Sequence, residues 1–140
     1  MATPWNSDLP NRLLTPGSVV TYSADDISSP KYSSEAPQIA EEVRRTVFAS
    51  YGLAPDDPNY ELDRLVPFCL GGSDKPTNLW PKPRASVNWP TSKKAALAAY
   101  LRAQVLSHAI ALKPAQIMIA TNWIQAYESC QGSIEKRTQK

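Results

Sequence analysis

Residues 60–81 read YELDRLVPFCLGGSDKPTNLWP, in which a Gly-Gly pair and polar residues separate two apolar runs. Its first part, Tyr60–Leu70, has the composition of a strand, although Pro67 limits that strand to a sheet edge or a bend. The pair Gly71-Gly72 and the polar residues that follow it are typical of a tight turn or a loop. Asn78–Pro81 predicts a second short strand. The stretch therefore predicts two short strands joined by an irregular connection.

Outside this stretch, three segments have the apolar periodicity of helices. The first covers residues 37–51, where an apolar residue recurs at every fourth position from Ile39 to Tyr51. The second covers Ser92–Ser107. The third covers Pro114–Glu128 and begins with a proline, which the first turn of a helix tolerates well.

The composition divides the chain into three parts. Residues 1–36 are rich in proline, serine, threonine and aspartate, and they predict an irregular N-terminal arm with at most one short strand at Ser18–Tyr22. We expect this arm to pack on or flank a domain at residues 37–128. Residues 129–140 predict a polar, frayed C-terminal tail.

Length and composition set broad limits on the class of protein. The chain has 140 residues, enough for one domain with its own core. No segment approaches the ~18 apolar residues that cross a membrane, and residues 1–20 lack the apolar run of a signal peptide. We therefore expect a soluble, cytoplasmic protein with no membrane partner, unless a leader has been removed. The two cysteines exclude a disulfide framework and a zinc cluster.

The charge is distributed unevenly along the chain. Residues 1–74 contain five Lys or Arg and eleven Asp or Glu, whereas residues 75–140 contain ten and two. No acidic residue occurs between Lys75 and Lys113, where tryptophan and tyrosine alternate with the basic residues. This pattern favours a polyanionic partner such as nucleic acid. A solvated surface that the acidic first half balances in space explains it equally well.

Several spaced motifs resemble the HNH (His-Me finger, ββα-metal) endonucleases. Residues 60–81 are similar to a bacterial pattern Y-E-x-D-H-L-I-P-L-E-L-G-G-S followed by N-L-W-P. Further matches lie at Lys94, Leu97 and Leu101 in the second predicted helix, and at Ala115-Gln116 in the third. The resemblance covers about residues 13–127. It implies an α+β fold, with a ββα core of two short strands, a long loop and a helix, and with additional packed helices.

The resemblance also implies a chemistry. In these nucleases a histidine at the end of the first strand activates water, and a divalent metal stabilises the scissile phosphate. The asparagine that corresponds to Asn78 braces the loop or helps to bind the metal.

This sequence departs from the pattern at the residues that catalyse. Arg64 stands where the family has the histidine, and a guanidinium does not accept a proton near neutral pH. Cys69 replaces a glutamate, and Ala95 and Ala98 replace acidic residues of the helix. The only histidine, His108, lies outside the motif. We therefore expect a degenerate catalytic site.

Two residues of the degenerate site keep metal-ligating groups. Asp63 and Asn78 have the capacity to hold a hydrated Mg²⁺ or Mn²⁺ weakly, so we expect either no cofactor or such a weakly bound ion. For Asp63, a pairing with Arg64 or a turn amide is the alternative. For Asn78, hydrogen bonds that close the loop are the alternative. Arg64 is expected to contact a phosphate or to pair with an acidic residue of the chain.

Basic and aromatic residues around the motif are the candidate nucleic-acid contacts. They are Arg64, Lys82, Arg84, Trp89, Lys93 and Lys94. Trp89 is the candidate for an exposed, base-stacking aromatic residue.

The sequence is compatible with three functions. The first is a binding protein that holds nucleic acid through its phosphate backbone without cleaving it. The second is a weak metal-dependent DNA endonuclease. The third is a protein-interaction module of the inhibitor, immunity or effector type, in which the acidic residues of the first half contact a protein partner. These residues include Asp25, Asp26, Glu41, Glu42, Asp56 and Asp57.

Overall fold

The computed structural model describes Trp5 and residues 7–138. Helices and a small antiparallel sheet form an α+β structure in the order α1, α2, β1, β2, α3, α4. The bounds are α1 Ala24–Ile27, α2 Glu41–Ser50, β1 Tyr60–Arg64, β2 Leu79–Pro83, α3 Thr91–Leu106 and α4 Leu112–Thr138. Short 3-10 turns lie at Pro30–Tyr32, Phe68–Leu70 and Pro76–Asn78. None of the described helices has the length and apolar character needed to cross a membrane.

The two strands form one antiparallel pair. β1 pairs with β2 so that Leu62 faces Pro81 and Arg64 faces Leu79. The predicted strand at Tyr60–Leu70 therefore stops at Arg64, because Pro67 and the 3-10 turn after it turn the chain away from the ladder. This places Arg64 at the end of β1, where the chain leaves the sheet.

The connection between the strands depends on two glycines. Gly71 has a φ of 83°, a left-handed conformation that favours glycine. Gly72 lies so close to the chain before it that a Cβ atom would overlap the carbonyl oxygen of Val66. The expected turn at Gly71-Gly72 is therefore a close approach between two backbone segments.

α3 packs against α4 and against the strand connection. Both helices contribute to one apolar core, in which Trp80 and Trp123 are fully buried. α4 is not a single straight helix, because Asn122 has φ −165° and ψ 93° and interrupts it. The side-chain oxygen of Asn122 then accepts a hydrogen bond from the Gln125 backbone N–H, as a helix N-cap does.

The C-terminal part of α4 extends beyond the predicted helix. The sequence predicts a frayed tail from residue 129, whereas the structure continues the helix to Thr138. Tyr127 and Ile134, seven residues apart on one helix face, are both buried and anchor this part.

The N-terminal arm is held to the rest of the chain by specific hydrogen bonds. The indole Nε1 of Trp123 donates to the Asp8 carbonyl over 2.8 Å, and Gln116 Nε2 donates to the Thr21 carbonyl over 2.8 Å. The predicted strand at Ser18–Tyr22 is reduced to one isolated bridge, between Val19 and Gly72.

Candidate functional site

A cleft of about 530 Å³ opens beside Arg64. One wall is the N-terminal segment from Tyr32 to Ala36, and the opposite wall is α3. The end of β1 and the 3-10 turn at Phe68–Leu70 form its floor. The α3 residues that line it recur at helical spacing and are mostly small. They are Thr91, Lys94, Ala95, Ala98, Ala99 and Arg102.

Arg64 lies in this cleft with 14% of its side chain exposed. Its Nε donates to Asp74 Oδ1 over 2.6 Å, and its Nη2 donates to the Pro37 carbonyl over 2.6 Å. The Arg64 guanidinium carbon lies 6.0 Å from the centre of the Phe68 ring. Of the alternatives that the sequence left open, the pairing with an acidic residue is present, and the partner is Asp74 rather than Asp63.

Asp63 is engaged by two donors from the core side. Lys94 Nζ lies 3.1 Å from Asp63 Oδ2, and Trp80 Nε1 donates to the same oxygen over 2.9 Å. Lys94 also donates to the carbonyls of Arg64 and Leu65, each over 2.9 Å. The structure therefore corrects the prediction that Lys94 is a surface contact, because this ammonium is 4% exposed and joins α3 to β1.

Asn78 is fully buried and is not available to a metal. Its Oδ1 accepts from the Val66 and Ser18 backbone N–H groups over 3.0 and 3.2 Å. Its Nδ2 donates to the carbonyls of Val66 and Ser73 over 3.0 and 2.8 Å. The loop-closing role is thus the one observed. Over the described part of the chain, no three of the His, Cys, Asp and Glu residues form a group that could hold a metal ion.

Lys82 and Trp89 belong to an internal cluster instead of a binding surface. Lys82 is fully buried, its Nζ donates to the Trp89 carbonyl over 3.1 Å, and it lies over the Trp123 ring. Trp89 is half-buried and packs edge-on against Trp123 and Tyr127. The prediction of a phosphate contact at Lys82 and of an exposed aromatic at Trp89 is corrected, because both side chains are used for packing.

Lys93 and Arg84 lie nearer to solvent. Lys93 Nζ donates to the Asn88 carbonyl over 2.9 Å and lies 4.8 Å from the centre of the Trp89 ring. Arg84 is exposed, donates from Nε to the Tyr60 carbonyl over 3.1 Å, and pairs with Glu61 at 3.5 Å. Of the six predicted contacts, Arg64 and Lys94 line the first cleft, and Arg64 and Arg84 line a second one.

Arg102 is a site residue that the sequence argument missed. It is half-buried, and its Nη1 donates to the Cys69 carbonyl over 2.7 Å. No carboxylate of the described residues lies within 4.0 Å of it. The sequence did contain a signal, because Thr91, Ala98 and Arg102 have the spacing that places them on one face of α3. Ala98 is small and leaves room between Thr91 and Arg102.

Cys69 also lines the cleft, next to Arg102. Burial raises the pKa of the Cys69 thiol, and the positive charges of Arg102 and Lys94 offset this only in part. The group is therefore a protonated thiol at neutral pH and neither a base nor an activated nucleophile.

The described residues that line the cleft include three cations, and the one carboxylate among them, Asp63, is already engaged by Lys94 and Trp80. His108 lies after the end of α3, exposed, and is not among the residues that line the cleft. The arrangement has the capacity to hold an anion and offers no imidazole to activate water. No protein-family model, no curated protein and no solved structure matches this chain.

Proposed function

We propose that this protein is a catalytically degenerate HNH-like domain that binds the phosphate backbone of nucleic acid without cleaving it. The order β1, β2, α3 supports the relation to a ββα core. Lys94 supports it further, because its ammonium fixes α3 against the end of β1.

The observation that carries the proposal is the position of Arg64. This guanidinium occupies the end of β1, where the resemblance places the general base, and it lines an open cleft. Two of its nitrogens are engaged, and Nη1 makes no hydrogen bond with the described residues. Because the side chain lines the cleft, Nη1 is the nitrogen that we expect to contact a phosphate. Arginine binds phosphate through two parallel hydrogen bonds. It does not accept a proton from water, which is the step that a general base performs in hydrolysis.

The other residues that line the cleft favour phosphate binding rather than phosphate hydrolysis. Asp63 is the one carboxylate among the described residues that line it, and Lys94 and Trp80 already donate to that carboxylate. A metal ion at Asp63 Oδ2 would have to displace these two donors. The proposal therefore needs no cofactor, and a weakly bound Mg²⁺ or Mn²⁺ at Asp63 belongs to the nuclease alternative.

Two assays on the same preparation test the proposal. Fluorescence anisotropy with labelled oligonucleotides, single-stranded and duplex, measures binding in 50 mM NaCl, and plasmid nicking with Mg²⁺, Mn²⁺, Zn²⁺ or EDTA measures cleavage. Wild type is expected to bind in at least one form and to leave the plasmid intact. Arg64→Ala is expected to lose about tenfold or more in affinity, since a charged hydrogen bond contributes ~1.5–3 kcal/mol. Lys113→Gln, which removes an exposed cation outside this cleft, is the charge-matched control.

Two results would overturn the proposal. Nicking that EDTA suppresses and that Asp63→Ala abolishes would establish the metal-dependent nuclease instead. Absence of binding to every oligonucleotide in low salt would exclude nucleic acid as the ligand. Nicking that appears only in Arg64→His would support the proposal, because it would identify the missing imidazole as the reason for inactivity.

A further inference from the structure

A second cleft, of about 470 Å³, adjoins the first. Leu62 and Arg64 line both, so the Arg64 guanidinium lies where the two clefts meet. The segment at residues 33–39 forms a wall of each. The two clefts are therefore one groove between this segment and the β1–α3 side of the molecule, and we call it the arginine groove.

The hydrogen bonds along α3 give the direction and length of the arginine groove. Thr91 donates to Glu61 over 2.5 Å near the start of the helix. Lys94 donates to the Arg64 carbonyl over 2.9 Å, and Arg102 donates to the Cys69 carbonyl over 2.7 Å. α3 thus runs alongside the chain from β1 to the 3-10 turn. At ~1.5 Å of rise per residue, the groove extends about 16 Å from Thr91 to Arg102.

Four arginines among the described residues line the groove; one of them, Arg44, donates to the Pro55 carbonyl, and the other three follow the length of the groove. Arg84 pairs with Glu61 at one end, Arg64 lies at the junction, and Arg102 lies at the other end. Arg102 is a half-buried cation without a carboxylate partner among the described residues, so its charge is not neutralised within the groove by those residues. Five basic and three acidic residues among the described ones line the two clefts, so the groove keeps a net positive charge toward one extended anionic ligand.

An aromatic surface lies between two of the arginines. Phe68 is half-buried, lines the groove below Arg64, and stacks on Tyr32 with ring centres 5.0 Å apart. Tyr32 and Arg64 already lie over the Phe68 ring, so a nucleobase would contact the edge of this ring, an arrangement that aromatic pairs also favour, while the cations beside it hold the phosphates. The groove thus pairs the two features by which proteins bind unpaired nucleotides.

We propose that the arginine groove binds single-stranded nucleic acid, with Arg84, Arg64 and Arg102 on successive phosphates and a base on Phe68. This inference rests on the proposed function and specifies its ligand. A duplex presents its phosphates on a rigid, convex surface, which cannot follow a groove down to an Arg64 side chain that is 14% exposed. A flexible single strand can enter the groove and place its bases against the aromatic floor.

The test compares four fluorescein-labelled ligands by anisotropy: a 12-nucleotide single strand, its duplex, an abasic strand of the same length, and a 12-residue polyglutamate. The single strand is expected to bind at least tenfold more tightly than the duplex and at least fivefold more tightly than the abasic strand. Three phosphate contacts predict a slope of log K against log[NaCl] of about −2, or about 16-fold weaker binding at 200 mM than at 50 mM.

Variants assign the effect to the groove. Arg102→Gln and Arg84→Gln are each expected to reduce the steepness of that slope by about 0.7, because each removes one phosphate contact. Lys113→Gln should leave the slope unchanged. Circular dichroism melting verifies that each variant is folded before binding is measured.

The outcomes separate this inference from the proposed function. Equal or tighter binding of the duplex, with Arg102→Gln indistinguishable from wild type, would overturn the inference and leave the proposed function in place. Binding of polyglutamate with the same affinity would replace nucleic acid by any acidic polymer and overturn both. Absence of binding to all four ligands would also overturn both.

Discussion

Replacement of Asn78 by alanine tests whether this residue holds the strand connection together. Its side chain makes four hydrogen bonds to backbone groups of Ser18, Val66 and Ser73, and all of them lie in or beside the core. Alanine removes the partner of two N–H groups and two carbonyls at once. Buried backbone groups that lose their partner destabilise the folded state.

The magnitude follows from the number of bonds. At about 1 kcal/mol for each hydrogen bond, Asn78→Ala is expected to lower the free energy of unfolding by about 4 kcal/mol. For a chain of this length that corresponds to a Tm lower by roughly 15 °C. With a urea m-value near ~2 kcal/mol per molar, the midpoint should fall by about 2 M.

The measurement is urea unfolding followed by tryptophan fluorescence, with Asn88→Ala as the control. Asn88 is exposed in the loop before α3, so its substitution should change the free energy of unfolding by less than about 0.5 kcal/mol. A loss below about 1 kcal/mol for Asn78→Ala would refute the structural role.

Asn78→Asp separates this role from metal binding. Aspartate keeps one acceptor oxygen but turns the second, charged oxygen toward the carbonyls of Val66 and Ser73, so it should destabilise the protein about as much as alanine. A metal ligand would tolerate or prefer the carboxylate. An Asn78→Asp variant as stable as wild type, and stabilised further by Mg²⁺, would therefore contradict the assignment.

Three further predictions concern the backbone, the core and the cleft. Gly72→Ala should lower the free energy of unfolding by at least about 3 kcal/mol, because its Cβ would overlap a backbone carbonyl. The control is Gly132→Ala in α4, which has open space around it and should raise the free energy of unfolding by about 0.5–1 kcal/mol. Lys94→Met should lose about 2–4 kcal/mol by leaving Asp63 without its cation. Iodoacetamide should alkylate Cys69 more slowly than free cysteine at pH 7.5, because its raised pKa lowers the thiolate fraction there, and the rate should rise as pH increases through 9.

Each of these predictions has a result that contradicts it. Equal urea midpoints for the two glycine variants would exclude the close approach at the strand connection. A Lys94→Met variant as stable as a Lys93→Met control would mean that the Lys94 ammonium does not stabilise the folded protein. Alkylation of Cys69 as fast as that of free cysteine at pH 7.5, followed by mass spectrometry, would contradict a protonated, half-buried thiol.

The sequence predicted the elements well where one periodic pattern covered them. Two strands, α3 and the first part of α4 lie within a few residues of the expected positions. The last turns of α4 were missed because residues 129–138 are mostly polar, and only Ile134 marks the buried face. The first predicted helix begins at Glu41 instead of residue 37, since Ala40, with φ −59° and ψ 142°, is the N-cap, and Pro37, Gln38 and Ile39 lie outside the helix and line the second cleft.

The sequence singled out Arg64 and Asp63, which line the first cleft, but it did not predict the hydrogen-bond and ion-pair partners of the site residues. Residue type alone assigns lysine to solvent, whereas Lys82 and Lys94 are buried by ring contacts and carbonyl acceptors from distant parts of the chain. The partner of Arg64 was also out of reach, because Asp74 approaches it only after the strand connection folds back. Arg102 lies eight residues from Lys94, and its importance depends on a cleft that no local pattern reveals.

The hydrogen bond from Trp123 to the Asp8 carbonyl has a consequence for the order in which the protein forms during synthesis. The two residues are 115 positions apart. At ~5–20 residues per second, a ribosome needs several seconds to make the chain between them. The N-terminal arm therefore leaves the ribosome long before its docking site exists, and its final position is reached only after α4 has been made. Contacts of such long sequence separation slow folding, so we expect the N-terminal arm to dock on α4 late in the folding of this chain.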